Sequence, residues 1–299
     1  MGHPTEFLNM AAIKQNYGLQ GVQRFELWWD REAQRFAPYT DDTQMAEIVL
    51  RGLLSNSDGA SLDAAMTGIA SGFVEWEHNP QGGHRSPGNA CLAGAHALAG
   101  GAHWAVAGGV KAGGCGSVMR AYPFGLLFAG DLEKAEHWAV EHSKLTHRDP
   151  IALAACAAMA VGVARTLRDD PAQQVLGAMT EAAARHDTGT AAMIERALHD
   201  AHAGVPPSVA LDRLRGWAAH EAIAAAAYVV ARHPADASAA ILEGANTPGD
   251  SDSIATLAGA LVGARTGLEG LPTDWVRDVE RSSELRALAK AAAQATGLR

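Results

Sequence analysis

Two short acidic clusters lie near opposite ends of the sequence, and each carries groups capable of chemistry. The first is Thr40-Asp41-Asp42-Thr43, followed by Met45, Ile48, Val49 and Leu53 at helical spacing. The second is Gly249-Asp250-Ser251-Asp252-Ser253, followed by Ile254, Leu257 and Leu261. Each pattern predicts a helix that begins with two carboxylates and a hydroxyl. The ordinary use of such residues is capping: Asp and Thr accept hydrogen bonds from free N–H groups, and acids favour the positive end of the macrodipole. Asp41 with Gln44 even suits a capping-box variant. The other use is a hard-cation site. Mg²⁺ and Mn²⁺ prefer carboxylate, hydroxyl and water oxygens, and two such clusters brought together can hold a pair of ions with positions left for water. Facing carboxylates without cations repel, so a metal would explain the arrangement.

Competing motifs fail at particular positions. An EF-hand loop starting at Asp250 needs an oxygen ligand at Ile254 and a glutamate at Leu261. The acidic motif of helical isoprenoid synthases needs a third Asp where Met45 stands. His186-Asp187 has the composition of the helical phosphohydrolase dyad but reads as an ordinary helix cap. Glycine and polar residues crowd three stretches, 78–90, 108–120 and 244–253, where left-handed backbone or close approach to a ligand is expected. Cys115 sits among glycines with no His-carboxylate arrangement identifiable around it, and reads as a small loop residue packed beside a ligand. His147 after Thr146, taken alone, reads as a satisfied structural histidine.

The elements that must position these groups are helices. Periodic Ala/Leu segments separated by short Gly/Pro/Asp breaks predict helices over 43–55, 61–76, 88–99, 132–145, 150–167, 171–185, 189–203, 217–231, 235–243, 252–267 and 283–296. Of 299 residues, 48% are hydrophobic and only 6% aromatic, and about a fifth are alanine. Alanine tops the helix scale while β-branched and aromatic residues top the strand scale, so the expected class is all-α. The absence of a repeat or a Pro/Ser-rich linker favours a single domain spanning 1–299.

Lys+Arg 24 against Asp+Glu 33 gives a net charge of −9 without a basic cluster, which argues against nucleic acid as the main partner. Cys91, Cys115 and Cys156, an odd number at wide spacing, suit a reducing cytoplasm rather than a disulfide framework. The longest apolar run, Ile151 to Ala164, is too short to cross a bilayer and reads as a buried core helix. Nothing at the N-terminus suggests export, so a cytoplasmic protein without a membrane partner is expected.

Taken together, five segments in order along nearly the whole chain resemble the ADP-ribosylglycohydrolase family. They are Pro4-Thr5-Glu6-Phe7; Tyr39-Thr40-Asp41-Asp42-Thr43-Gln44-Met45; Gly113-Gly114-Cys115-Gly116-Ser117-Val118-Met119-Arg120, continuing to Pro123; Leu145-Thr146-His147; and Gly249-Asp250-Ser251-Asp252-Ser253-Ile254. The resemblance implies an orthogonal multi-helix bundle with a cleft holding two divalent cations, Mg²⁺ or Mn²⁺. Thr40, Asp41, Asp42, Asp250, Asp252 and Ser253 match its ligand positions. It implies hydrolysis of the bond between ADP-ribose and an acceptor, either arginine or an O-linked residue, on a protein or a small molecule. Asp42 or Asp252 would steer or deprotonate the water, with Glu6 as the alternative base. Gly114, Cys115, Gly116, Ser117, Met119 and His147 match the substrate loop and its neighbour. Rival expectations are a non-catalytic ADP-ribose-binding or structural descendant and a different binuclear phosphohydrolase. The family's opening helix falls before Met1, which implies exposed core surface and a Glu6 near a flexible terminus. In the loop Ser86-Pro87-Gly88-Asn89, arginine-directed members tend to carry an Asp before the Gly; Arg85 and Asn89 either contact substrate or brace the loop.

Overall fold

The computed structural model of the chain describes residues 1–29, 34–55 and 61–297, and helices make up most of them. In chain order these are α1 (Met10–Tyr17), α2 (Asp41–Leu54), α3 (Leu62–His78), α4 (Asn89–Ala99), α5 (Trp104–Ala107), α6 (Tyr122–Leu127), α7 (Leu132–Ser143), α8 (Pro150–Leu167), α9 (Ala172–Ala184), α10 (Thr188–His202), α11 (Pro207–Ala210), α12 (Ala219–Arg232), α13 (Ala237–Ala245), α14 (Ser251–Thr266), α15 (Thr273–Asp278) and α16 (Ser282–Thr296). The all-α expectation holds, and every predicted helix is present. Elements that were not predicted are short: α1, α5, α6, α11 and α15 offer too few turns for a periodic signal. One hairpin also departs from the expectation, β1 (Trp28–Trp29) paired antiparallel with β2 (Arg35–Phe36).

Alanine explains the centre. On α8 nearly every side chain is buried, among them Ala152, Ala154, Ala155, Ala157, Ala158 and Ala160. On α12, Ala222 through Val230 are all buried. Small side chains let these two helices lie close to each other and to α9, α10 and α14, so they are enclosed on all faces. By length and composition α8 would pass for a membrane span, but it is packed inside protein. This core fixes two helix starts side by side. The N-terminal end of α14, packed on α8, α12 and α13, meets the N-terminal end of α2, and a 3-10 helix at Cys115–Arg120 touches both. That 3-10 helix occupies part of the glycine-rich stretch expected to be loop.

Candidate functional site

Asp41, Asp42 and Asp252 stand in the first turns of α2 and α14, with Thr40 and Asp250 at the two N-cap positions. These five and Ser253 are all at most 8% exposed. The side chains of Asn9, Ser61, Asp131, Asp149, Asp187 and Asp236 do cap their helices. Those of Thr40 and Asp250 do not. The capping box at Asp41 is not formed either: Gln44 donates to Gln81 O (2.7 Å) and Gly83 O (3.0 Å) and accepts from Trp76 Nε1. Asp187 behaves as the ordinary cap expected of it, bonding the Thr190 N–H at 2.6 Å.

The carboxylates of the two helices sense one another. Burial, reinforced by the charge of Asp252, pushes the Asp42 carboxyl well above the usual range. Burial with Asp252 and Glu6 pushes Asp41 up to about 8. Asp250 is raised by burial and by Asp252. The positive groups facing them are Arg120, felt by Asp41, and the Met1 α-amino group, felt by Asp252 and Asp42. Asp42 Oδ2, Asp252 Oδ1 and Glu6 Oε2 are buried without a hydrogen-bond partner. Native interiors seldom leave such atoms unsatisfied, and each one calls for a ligand or a catalytic explanation.

Glu6 is held more firmly than expected of a terminus. A Cβ on Gly2 would lie 2.5 Å from Ser251 O and 2.6 Å from the Asp252 backbone, so the chain is pressed against the first turn of α14. Ser251 Oγ donates to Gly2 O (2.9 Å), Thr5 Oγ1 lies 3.0 Å from Ser251 Oγ, and the Phe7 N–H donates to Gly249 O (2.9 Å). Burial raises the Glu6 carboxyl despite His3, whose Nδ1 stands 3.6 Å away in an ion pair too long for a hydrogen bond. Beside this segment lies a cavity of about 480 Å³ lined by Met1, Gly2, Ala255, Gly259, Trp275 and Leu285, among others.

The substrate-loop residues divide. Cys115, half-buried, donates its thiol to Asp250 Oδ2 at 2.7 Å and lies 3.6 Å from Ser253 Oγ. Met119 packs under Ser253, with Sδ 3.8 Å from its hydroxyl. Gly114 and Gly116 lie against His147: a Cβ at 114 would sit 3.6 Å from Nε2, and one at 116 would sit 3.0 Å from Cε1 and 2.4 Å from Cys91 Sγ. Ser117 departs from the expectation. Its fully buried hydroxyl accepts from Ser143 Oγ (2.8 Å) and from the Cys156 thiol, so it is packed among core side chains and faces no open surface.

Sequence reasoning gave no role to Arg120, although it closes the glycine-rich segment that resembles the family's loop. It is fully buried, stacked 4.7 Å over Phe73, and donates to Gly116 O (2.5 Å) and Thr146 Oγ1 (2.6 Å). Thr146 Oγ1 in turn lies 2.7 Å from His147 Nδ1. Hydrogens assigned along that chain make Nδ1 the acceptor and leave Nε2–H facing the loop. Burial, aided by Arg120, holds His147 down to about 3, so the ring is neutral at ordinary pH.

Around the rim, Arg85 braces. It holds left-handed backbone (φ 59°), and its guanidinium clasps Glu280 at 2.5 and 2.8 Å and reaches Tyr39 O at 2.8 Å. Its carbonyl accepts the Asp41 N–H. Trp104 and Phe124, aromatic residues on either side of the glycine-rich segment in sequence, are core residues. Tyr122 lines the apolar cavity. Of the exposed aromatics, Phe7 and Trp217 stack at 5.2 Å beside the Cys115 loop, where the Cys115 N–H donates to Trp217 O.

Six oxygen-bearing side chains from two helix starts form a hard donor set, and their unpartnered carboxylate oxygens fit divalent cations. Among the described residues no group of three or more His, Cys, Asp or Glu side chains is placed so as to hold a metal ion. Gathered acids that still repel one another are consistent with that.

The whole chain, residues 1–299, matches the family described as ADP-ribosylglycohydrolase. It is 25% identical over 293 residues to an uncharacterized protein of Archaeoglobus fulgidus, covering 97% of this chain and 90% of that one. It is 23% identical to the ADP-ribosyl-[dinitrogen reductase] glycohydrolase of Rhodospirillum rubrum, covering 95% and 87%. A solved structure described as an ADP-ribosylglycohydrolase-related protein complex shares the fold, with a TM-score of 0.66 at 24% identity over 86% of this chain and 82% of that one. With the motifs and the fold in agreement, the chain belongs to the ADP-ribosylglycohydrolase family, whose chemistry is hydrolysis of ADP-ribose linkages.

Proposed function

We propose that this protein cuts the glycosidic bond between ADP-ribose and an arginine or O-linked acceptor, reversing ADP-ribosylation, with two Mg²⁺ or Mn²⁺ ions held by Thr40, Asp41, Asp42, Asp250, Asp252 and Ser253. The observation that carries this reading is the pair of buried, unpartnered oxygens Asp42 Oδ2 and Asp252 Oδ1 inside a cluster of four acids. When bound, the cations would neutralise that cluster, orient the ribose hydroxyls and acidify a water.

The chain's own residues do the rest. Glu6 lies outside the ligand set, and burial raises its carboxyl toward the range useful for a base. Its Oε2, which has no hydrogen-bond partner, takes a proton from the attacking water as the oxygen joins the anomeric carbon. The same proton then passes to the departing nitrogen or oxygen of the acceptor. His147 donates from neutral Nε2–H to the ribose or phosphate. The Gly114–Gly116 backbone comes close to the same group, as in other anion-binding loops.

The test is incubation with ADP-ribosyl-arginine and ADP-ribosyl-serine peptides, with Mg²⁺ or Mn²⁺ and with chelator. Metal-dependent release of ADP-ribose is expected from at least one. Release of AMP would indicate a phosphohydrolase, and no release from either would indicate a non-catalytic descendant. Asp42→Asn and Asp252→Asn should abolish turnover with little unfolding, and retained activity in both would refute the ligand assignment.

A further inference from the structure

Cys115 stands where the glycine loop meets the acid cluster. Its Sγ is 2.7 Å from Asp250 Oδ2 and 3.6 Å from Ser253 Oγ, two of the six oxygen donors named above. The sulfur is held in that position. The Cys115 N–H is tied to Trp217 O (3.2 Å), and Ala219 N–H donates to Gly113 O (2.9 Å). On the other side, Gly116 is wedged against Cys91 and His147. A second observation points to a ligand at the same place: Asp42 Oδ2 and Asp252 Oδ1 are unpartnered on side chains more than nine-tenths buried. Cys91 and Cys156 differ from Cys115 in that both are wholly buried in the apolar core.

We infer that Cys115 is a sulfur donor to the cation held beside Asp250 and Ser253, so that this half of the centre also takes softer divalent cations such as Co²⁺, Zn²⁺ or Cd²⁺. The inference rests on the binuclear reading of the cluster. Oxygen donors alone select hard Mg²⁺ or Mn²⁺, whereas one thiolate shifts the preference toward thiophilic ions. On binding, the S–H bond breaks and a sulfur–metal bond forms. The proton leaves by way of the Asp250 oxygen that already accepts it and is released to solvent, with no change of oxidation state. A thiol serving only as a hydrogen-bond donor would leave the site as hard as its oxygens make it.

The experiment is titration of the metal-free 299-residue chain with Co²⁺, followed by absorption spectroscopy. Bound Co²⁺ gives visible ligand-field bands, and a cobalt–thiolate bond adds a near-ultraviolet charge-transfer band. Both are expected in the wild type. In Cys115→Ser the charge-transfer band should vanish while the ligand-field bands remain. Ligand-field bands without charge transfer in the wild type, or a charge-transfer band that survives in Cys115→Ser, overturn the sulfur assignment and leave the oxygen ligands standing. Failure of the wild type to take up Co²⁺ at all overturns the metal reading itself and this assignment with it. Should Cys115→Ser not fold by circular dichroism, the thiolate–Cd²⁺ charge-transfer band of the wild type, present or absent, decides the same question.

Discussion

Asp41→Asn should stabilise the metal-free protein and abolish its stabilisation by metal. Burial, Asp252 and Glu6 lift the Asp41 carboxyl to about 8 from an ordinary value of 3.8. The native state therefore keeps a proton that the unfolded chain releases. This group leaves stability undiminished below about pH 4, and stability falls as the pH rises toward 8. At about 1.4 kcal/mol per unit, the rise corresponds to a ceiling on the order of 6 kcal/mol near pH 8. Asp42 and Asp250 are raised in the same cluster and share the burden of protonation with Asp41. A net gain of about 1–3 kcal/mol is accordingly expected when Asn removes the ionisable group and keeps the shape. The assay is urea unfolding near pH 5 and near pH 8, in chelator and in Mn²⁺. In chelator the variant should be the more stable protein near pH 8, with the gap narrowing near pH 5. In Mn²⁺ the order should reverse, because bound cation stabilises only a folded state that can hold it. A variant less stable than wild type in chelator near pH 8 would refute the argument, since the acids would then be supporting the fold.

Arg120→Lys keeps the charge but cannot hold Gly116 O and Thr146 Oγ1 together in the planar fork of a guanidinium. A loss of about 2–4 kcal/mol in urea unfolding is expected, with KM rising as the loop and His147 lose their support. A variant with unchanged stability and KM would remove Arg120 from the positioning of the site. Away from the site, burial would raise Glu136, but hydrogen bonds from Arg185 and His186 hold it down to about 2. Its contribution is present above about pH 4.5 and fades as the pH falls toward 2. With Arg185 half exposed, Glu136→Gln should therefore remove only about 1 kcal/mol near neutral pH. It should flatten the acid limb of the stability profile and leave activity unchanged.

The helices were legible because apolar periodicity survives over three or more turns, and the acids because their types and spacing are uncommon. Their use was not legible. An Asp at a helix start satisfies the same local pattern whether it turns back to cap or faces a cation. Only the structure shows that Asp131, Asp149, Asp187 and Asp236 turn back while Asp250 does not. Ser117 escaped for a related reason. A hydroxyl in a glycine-rich segment suggests a ligand, but the 3-10 turn at Cys115–Arg120 rotates it toward Ser143. The role of Arg120 escaped because a charged residue in an apolar run gives no hint of partners as distant in sequence as Met45, Phe73, Cys91 and Thr146. The firm seat of Glu6 rests on contacts with residues 249–252, which no local pattern anticipates.

The contrast between capped and uncapped helices also bears on why the core is built as it is. A side-chain cap contributes about 1 kcal/mol, and α2 and α14 do without one while bringing four acids together. Their macrodipoles give partial relief, because two positive helix ends point at the same negative charge. The remainder must come from elsewhere in the fold. α14 rests on α8 and α12, whose alanines combine high helix propensity with close approach and lose no side-chain entropy on burial. The segment that resists rearrangement most therefore lies directly beneath the segment with most reason to rearrange. On this argument, enlarging a buried alanine of α8 or α12 would disturb the acid cluster before it disturbed the periphery, because the starts of α2 and α14 are where the stored repulsion can be released.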